Sequence, residues 1–101
     1  MHIISRRALT LFARQHSDAA SWLEQLWRIA RRAEWTSLHD VRHDYQAADQ
    51  VGECLVFNVR GNTYRLICGV RYATEDRQGA LFVKRLLTHA EYDKNEWRKD
   101  C

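Results

Sequence analysis

The chain has 101 residues, 46% hydrophobic and 29% charged, with a net charge of +3 and a pI near 9.0. That size and composition predict a single globular domain over residues 1–101 and exclude a disordered, collagen-like or multi-domain chain. No apolar run approaches the roughly 18 residues of a membrane span, and the start, MHIISRRALTLF, lacks the cleavage site of a secretory signal.

Met1 to Ile4 is a short apolar start that reads as an edge strand. Ser5 is a good N-cap for a helix whose Ala8, Leu9, Phe12 and Ala13 recur at helical spacing. Ser17-Asp18 starts a second helix, where Ala19, Trp22, Leu23, Leu26, Trp27, Ala30 and Ala33 form one wide apolar stripe. The two helices form an antiparallel hairpin. Ser37 and Asp40 have capping spacing and predict a short helix over Leu38 to Asp44. From Cys54 the texture changes. Cys54 to Val59, Tyr64 to Tyr72 and Ala80 to Leu87 are rich in Val, Ile, Leu, Tyr and Phe and read as strands. Gly61-Asn62 marks the first hairpin turn, and Glu75 to Gly79 lies in the second. Ala90 to Lys99 reads as a short C-terminal helix or tail. The class is therefore α+β, with helices on one face of a small antiparallel sheet and strands arranged late as a β-meander.

The three cysteines, Cys54, Cys68 and Cys101, show no CxxC spacing and are odd in number. That pattern predicts neither a disulfide framework nor a zinc site, and suits a reducing cytoplasm. Proline is absent.

The charge is unevenly placed. The first fifty residues carry seven Lys/Arg and six Asp/Glu. The stretch from Leu55 to Ala90 holds Arg60, Arg65, Arg71, Arg77, Lys84 and Arg85, against only Glu75 and Asp76 in a turn. Strand alternation puts Arg65 and Arg71 on one face with Ile67 and Gly69 between them, while Tyr64, Leu66, Cys68, Val70 and Tyr72 face the core. Lys84 or Arg85 shares the Arg65 face. Gly69 leaves room for a ligand to approach the backbone. A face of unpaired guanidinium groups suits an anion such as phosphate, and the alternative is a merely solubilising surface.

Just past the last strand stands Thr88-His89-Ala90-Glu91-Tyr92-Asp93-Lys94. Imidazole is the natural general acid or base near neutral pH, which makes His89 the candidate proton-transfer group. The phrases Val56-Phe57-Asn58-Val59-Arg60-Gly61-Asn62-Thr63-Tyr64-Arg65-Leu66-Ile67 and Thr88 to Lys94 carry a resemblance, joined by Ile3-Ile4-Ser5, Ala8-Leu9, Trp35, Asp40-Val41, Asp44-Tyr45, Ala48-Asp49, Val51-Gly52 and Phe82-Val83. Over most of its length the chain resembles the HigB-type mRNA interferases, RelE-like toxins of bacterial type II toxin–antitoxin systems. Members often carry Pro where this chain has Leu38 and Gln46, and Gly where it has Leu87.

The resemblance implies a RelE-like fold with a concave RNA-binding face. It also implies ribosome-dependent, metal-independent endoribonuclease activity on mRNA, no cofactor, and a helix-turn-helix HigA-type antitoxin as partner. Cleavage without a metal needs a base for the ribose 2′-OH, cations for the phosphorane and an acid for the leaving 5′-oxygen. Arg65, Lys84, His89 and Tyr92 are the catalytic candidates. Arg65 and Lys84 would be the cations, His89 the acid or base, and Tyr92 the residue that stacks on a base or orients the phosphate. Arg60, Arg71, Arg85 and Lys94 are the candidate RNA-backbone contacts. Two rival readings use the same residues differently. One is a non-catalytic RNA- or ribosome-binding module. The other is a structural domain in which Trp22, Trp27 and Trp35 form an interaction surface. An exposed remainder of the Trp22–Trp27 stripe would suit the antitoxin.

Overall fold

Ser5 accepts a hydrogen bond from the Ala8 amide at 3.2 Å and so caps α1 (Arg6–Gln15). A 3-10 turn over Ser17–Ala19 leads into α2 (Ala20–Arg32), which buries Leu23, Leu26 and Ala30 while Arg28, Arg31 and Arg32 stay exposed. The computed structural model describes all of residues 1–101. Its remaining elements are β1 (His2–Ile4), α3 (Leu38–Asp44), β2 (Asp49–Val51), β3 (Cys54–Val59), β4 (Tyr64–Arg71), β5 (Ala80–Thr88), α4 (His89–Asp93) and a 3-10 turn over Glu96–Asp100. The predicted third helix has the predicted bounds and cap, with Ser37 accepting from the Asp40 amide at 3.3 Å. Leu38 is the first residue of that helix, a position where proline would be tolerated as well.

The five strands run in the order β1-β5-β4-β3-β2. The meander is antiparallel, but β1 joins β5 in parallel, pairing His2 with Ala80 and Ile4 with Phe82. The sheet is therefore mixed rather than purely antiparallel. The helical layer between β1 and the meander supplies the long crossover that a parallel pair requires. Strand β2 is the one strand absent from the sequence expectation, because three residues give no readable alternation. Gly61 takes the left-handed φ of +64° in the β3–β4 turn, as the Gly61-Asn62 signal anticipates.

One face of the sheet meets α1, α2 and α3. Leu55, Phe57 and Val59 of β3 and Tyr64, Leu66 and Cys68 of β4 pack there against Leu9, Leu23, Leu26, Ala30 and Val41. Trp35 is 2% exposed in this core and donates to Asp44 at 2.9 Å, whereas Trp22 and Trp27 are half-buried. Burial in this apolar core pushes the Cys68 thiol pKa up.

The opposite face differs from expectation. Cys54, Val56, Ile67 and Leu87 form a second apolar cluster with Trp97, which is 1% exposed. Residues 96–101 fold back over the sheet, and Cys101 forms a disulfide with Cys54, their Cα atoms 5.3 Å apart. The expectation of unpaired cysteines is therefore corrected. A sequence separation of 47 concealed the pair, because only the fold-back of the C-terminal segment brings Cys101 beside β3. Leu87 belongs to this cluster and packs there with Trp97.

Candidate active site

The β4–β5 register sets the site. Arg65 pairs with Leu87 and Ile67 with Arg85, so all four side chains share the face away from the helices. Between Ile67 and Cys68 the register shifts, because Arg85 and Val83 oppose consecutive residues and leave Lys84 as an inserted residue. This β-bulge turns both Lys84 and Arg85 to the outer face, where alternation alone would send one of them to the core. Lys84 then lies over Gly69: a Cβ built there would be 3.1 Å from Lys84 Cε. The space over Gly69 is therefore taken by the lysine stem, and Gly69 is not the open ligand approach expected of it.

Arg65 is half-buried and well anchored. Its Nη2 donates to Asn62 Oδ1 at 3.0 Å and its Nη1 to the Tyr64 carbonyl at 3.2 Å. Its guanidinium carbon stands 5.3 Å from the centre of the Tyr92 ring. Tyr92 in turn stacks on Trp97, with centroids 5.0 Å apart and planes 14° from parallel. The Trp97 indole N–H donates to the Tyr92 carbonyl at 3.0 Å, which ties the stack to α4. Arg85, Leu87, Glu91, Lys94, Glu96 and Trp97 line a shallow cleft of about 100 Å³ beside this column.

His89 opens α4, one residue after Thr88, whose strand partner is Tyr64. Its Nδ1 lies 3.1 Å from Asp93 Oδ2, one turn on. Thr88 and Glu91 form a reciprocal capping box: the Thr88 amide donates to Glu91 Oε1 at 2.9 Å, and the Glu91 amide to Thr88 Oγ1 at 3.2 Å. Hydrogen bonding of the Glu91 carboxylate by the Thr88 amide and side chain, with help from His16 and Lys94, holds its pKa below the usual carboxylate range. Glu91 is thus engaged in the cap of α4, and Asp93 is the carboxylate beside His89.

Two expected RNA contacts do not join this group. Arg60 points to the helical side and pairs with Asp18 at 3.0 Å, beside the 2.8 Å bond from the Tyr64 hydroxyl to Asp18. Those two bonds depress the Asp18 pKa. Arg71 sits six residues along β4 from Arg65, roughly 20 Å away at strand rise, and donates to the Gln78 carbonyl at 3.3 Å. Arg65, Tyr92, Arg85 and Lys94 are assembled around the β4–β5 end, with His89 at its edge, whereas Lys84 lies in the middle of β5 over Gly69, four residues along β4 from Arg65.

Three residues escape sequence reasoning. Asp100 accepts from Arg85 Nη2 at 2.8 Å through its carboxylate and from Lys84 Nζ at 2.6 Å through its carbonyl. Trp97 supports Tyr92. His16 stacks near Tyr64, with rings 4.9 Å apart, and approaches Glu91 closely enough to affect its ionisation. None lies in a strand or carries a periodic signal, so only the fold reveals them. No group of three or more His, Cys, Asp or Glu side chains is placed to hold a metal ion. On the helical side, Trp27 is flanked by Arg6 at 3.7 Å and Arg31 at 4.3 Å, along an α1–α2 groove of about 420 Å³.

Residues 19–95 match the HigB toxin family, described as the RelE-like toxic component of a toxin–antitoxin system. The matched stretch runs from the start of α2 through the capped helix that carries His89 and Tyr92. The chain belongs to the HigB toxin family. It is also 29% identical over 97 residues to the mRNA interferase HigB of Escherichia coli O6:H1 (strain CFT073), covering 93% of this chain and 90% of that one. The α+β architecture, with a helical hairpin before the meander, is consistent with a RelE-like toxin fold. No helix is long and apolar enough to cross a membrane.

Proposed function

We propose that this HigB-family chain is an mRNA interferase, an endoribonuclease that cuts mRNA on the ribosome in the bacterial cytoplasm and needs no metal ion. The observation that carries the reading is the apposition of Arg65 and Tyr92 at the strand end where His89 begins α4. Family membership and the likeness to an mRNA interferase support it.

Arg65 stabilises the phosphorane, with its plane held by Asn62 and Tyr64 and further N–H donors left for phosphate oxygens. Lys84 is the second cation. His89, oriented by Asp93, exchanges the proton at the 2′-oxygen or the 5′-oxygen. Tyr92, with Trp97 parallel to its ring, positions the scissile phosphate or a neighbouring base. Arg85 and Lys94 contact the RNA backbone. A helix-turn-helix antitoxin of the HigA type neutralises the toxin, and the groove at Trp27 is the surface proposed to receive it.

The test is controlled expression in bacteria with mapping of mRNA 5′ ends. The reading predicts growth arrest with cuts at codon-related positions, abolished by Arg65→Ala and by His89→Ala while both variants still fold. Cleavage by ribosome-bound purified protein is predicted to survive removal of transition metals at a Mg²⁺ concentration that keeps the ribosome intact. Arrest without new 5′ ends would instead identify a non-catalytic ribosome binder.

A further inference from the structure

Asp100 occupies two cations of the site just described. Its carboxylate takes Arg85 at 2.8 Å and its carbonyl takes Lys84 at 2.6 Å. The next residue is covalently tied down. Cys101 is bonded to Cys54, which is itself fully buried in β3, and the Cys101 carbonyl accepts from the Glu53 amide at 3.0 Å. The seat is fitted to it: a Cβ at Gly52 would lie 2.5 Å from the Cys101 carbonyl oxygen. Residues 98–101 are otherwise exposed or half-exposed, and Trp97 is the last well-buried side chain before the disulfide.

We propose that the Cys54–Cys101 pair is a thiol–disulfide switch that gates the RNA face. Oxidised, it holds Asp100 on Lys84 and Arg85 at high effective concentration, so a phosphate must displace a tethered carboxylate from Arg85 and a tethered main-chain carbonyl from Lys84. Reduced, residues 98–101 swing free of their anchor at Trp97, and both cations are released to the RNA backbone. The inference rests on the proposed role of Lys84 and Arg85 in binding RNA.

The chemistry is exchange with a dithiol reductant. Its thiolate attacks the half-exposed Cys101 sulfur, the Cys54–Cys101 bond breaks, and Cys54 leaves as a thiolate and takes a proton. The second thiolate of the reductant then attacks its own sulfur in the mixed disulfide. That step closes the reductant's disulfide and releases Cys101. The dithiol loses the two electrons that the protein gains. An incoming protein or small-molecule disulfide reverses the sequence.

The test uses the full chain, oxidised with oxidised glutathione or reduced with dithiothreitol. Thiols are counted after denaturation, and binding of an uncleavable 2′-O-methyl RNA oligonucleotide is followed by fluorescence anisotropy. The oxidised protein is expected to show one thiol, that of Cys68, and the reduced protein three. The reduced form is expected to bind about tenfold more tightly. Cys101→Ser should bind like the reduced protein with or without dithiothreitol, and oxidised Asp100→Asn should bind more tightly than the oxidised native chain. Three thiols after oxidation, or equal affinity of the two native forms, would overturn the switch and leave the RNA face standing. Failure of every form to bind RNA, Asp100→Asn included, would overturn the RNA face and the switch together.

Discussion

Arg65 is fixed by partners from its own strand and turn, which leaves its charge aimed outward without a competing carboxylate. Removing a preorganised cation of this kind costs about 10²–10³ in rate, so Arg65→Ala should lower cleavage by that factor in a reconstituted ribosome assay. Arg65→Lys keeps the charge but loses the planar fork, and most of the activity should go with it. His89→Gln should remove pH dependence from the cleavage rate, and an unchanged profile would reduce His89 to a binding residue. Glu91 gives a different pH signature. Its folded-state pKa is depressed, so its stabilisation is present above the unfolded value of about 4.3 and is lost as pH falls through the folded value. Thermal melts between pH 7 and pH 3 should therefore show native protein ahead of Glu91→Gln at neutral pH, with the gap closing in acid. At this scale the sequence was informative where strand alternation or a motif applied, as for Arg65, Tyr92 and His89. It counted Arg60 and Arg71 among the RNA contacts and did not foresee that partners forty-two residues away or across a turn draw those side chains elsewhere.

The elements explain why the site holds together. Alternation predicts that only one of Lys84 and Arg85 faces outward; the bulge supplies both, and a single inserted residue leaves no mark in a hydrophobic pattern. The capping box sets the start of α4 and hence the placement of His89 and Tyr92. Thr88→Ala should cost about 1 kcal/mol in urea denaturation and weaken cleavage through that placement. Trp97→Ala should cost roughly 3 kcal/mol or more, since it empties the centre of the outer cluster and removes the support beneath Tyr92. The helices were the most legible part of the chain. Ser5, Ser37 and the Leu23–Leu26–Ala30 stripe act as their sequence pattern says. The C-terminal segment was the least legible, because a 3-10 turn has no amphipathic repeat and its one anchor, Trp97, reads equally well as surface or core.

For the whole molecule, a net charge of +3 conceals a division of labour. The sheet has two covered faces, one packed by helices and the other partly closed by residues 96–101, and the open remainder of the second face gathers Arg65, Tyr92, Arg85 and Lys94. The disulfide spans 47 residues, and closing a loop of that length stabilises a chain by roughly 4 kcal/mol. Reduction should lower the unfolding free energy by up to that amount in denaturant titrations, and Cys101→Ser should make the two conditions coincide. The α+β class, the helical hairpin and the meander were readable from periodicity, whereas the parallel β1–β5 pairing and the Cys54–Cys101 bond depend on contacts between the two ends of the chain and its middle. The central claim is that the strand end bearing Arg65, Tyr92 and His89 cleaves mRNA. Its most direct test is transcriptome-wide mapping of mRNA 5′ ends after induction of the native chain and of Arg65→Ala. New ends at codon-related positions with the native chain, absent with Arg65→Ala at equal expression, are the predicted result; identical patterns of ends from the two proteins would contradict it.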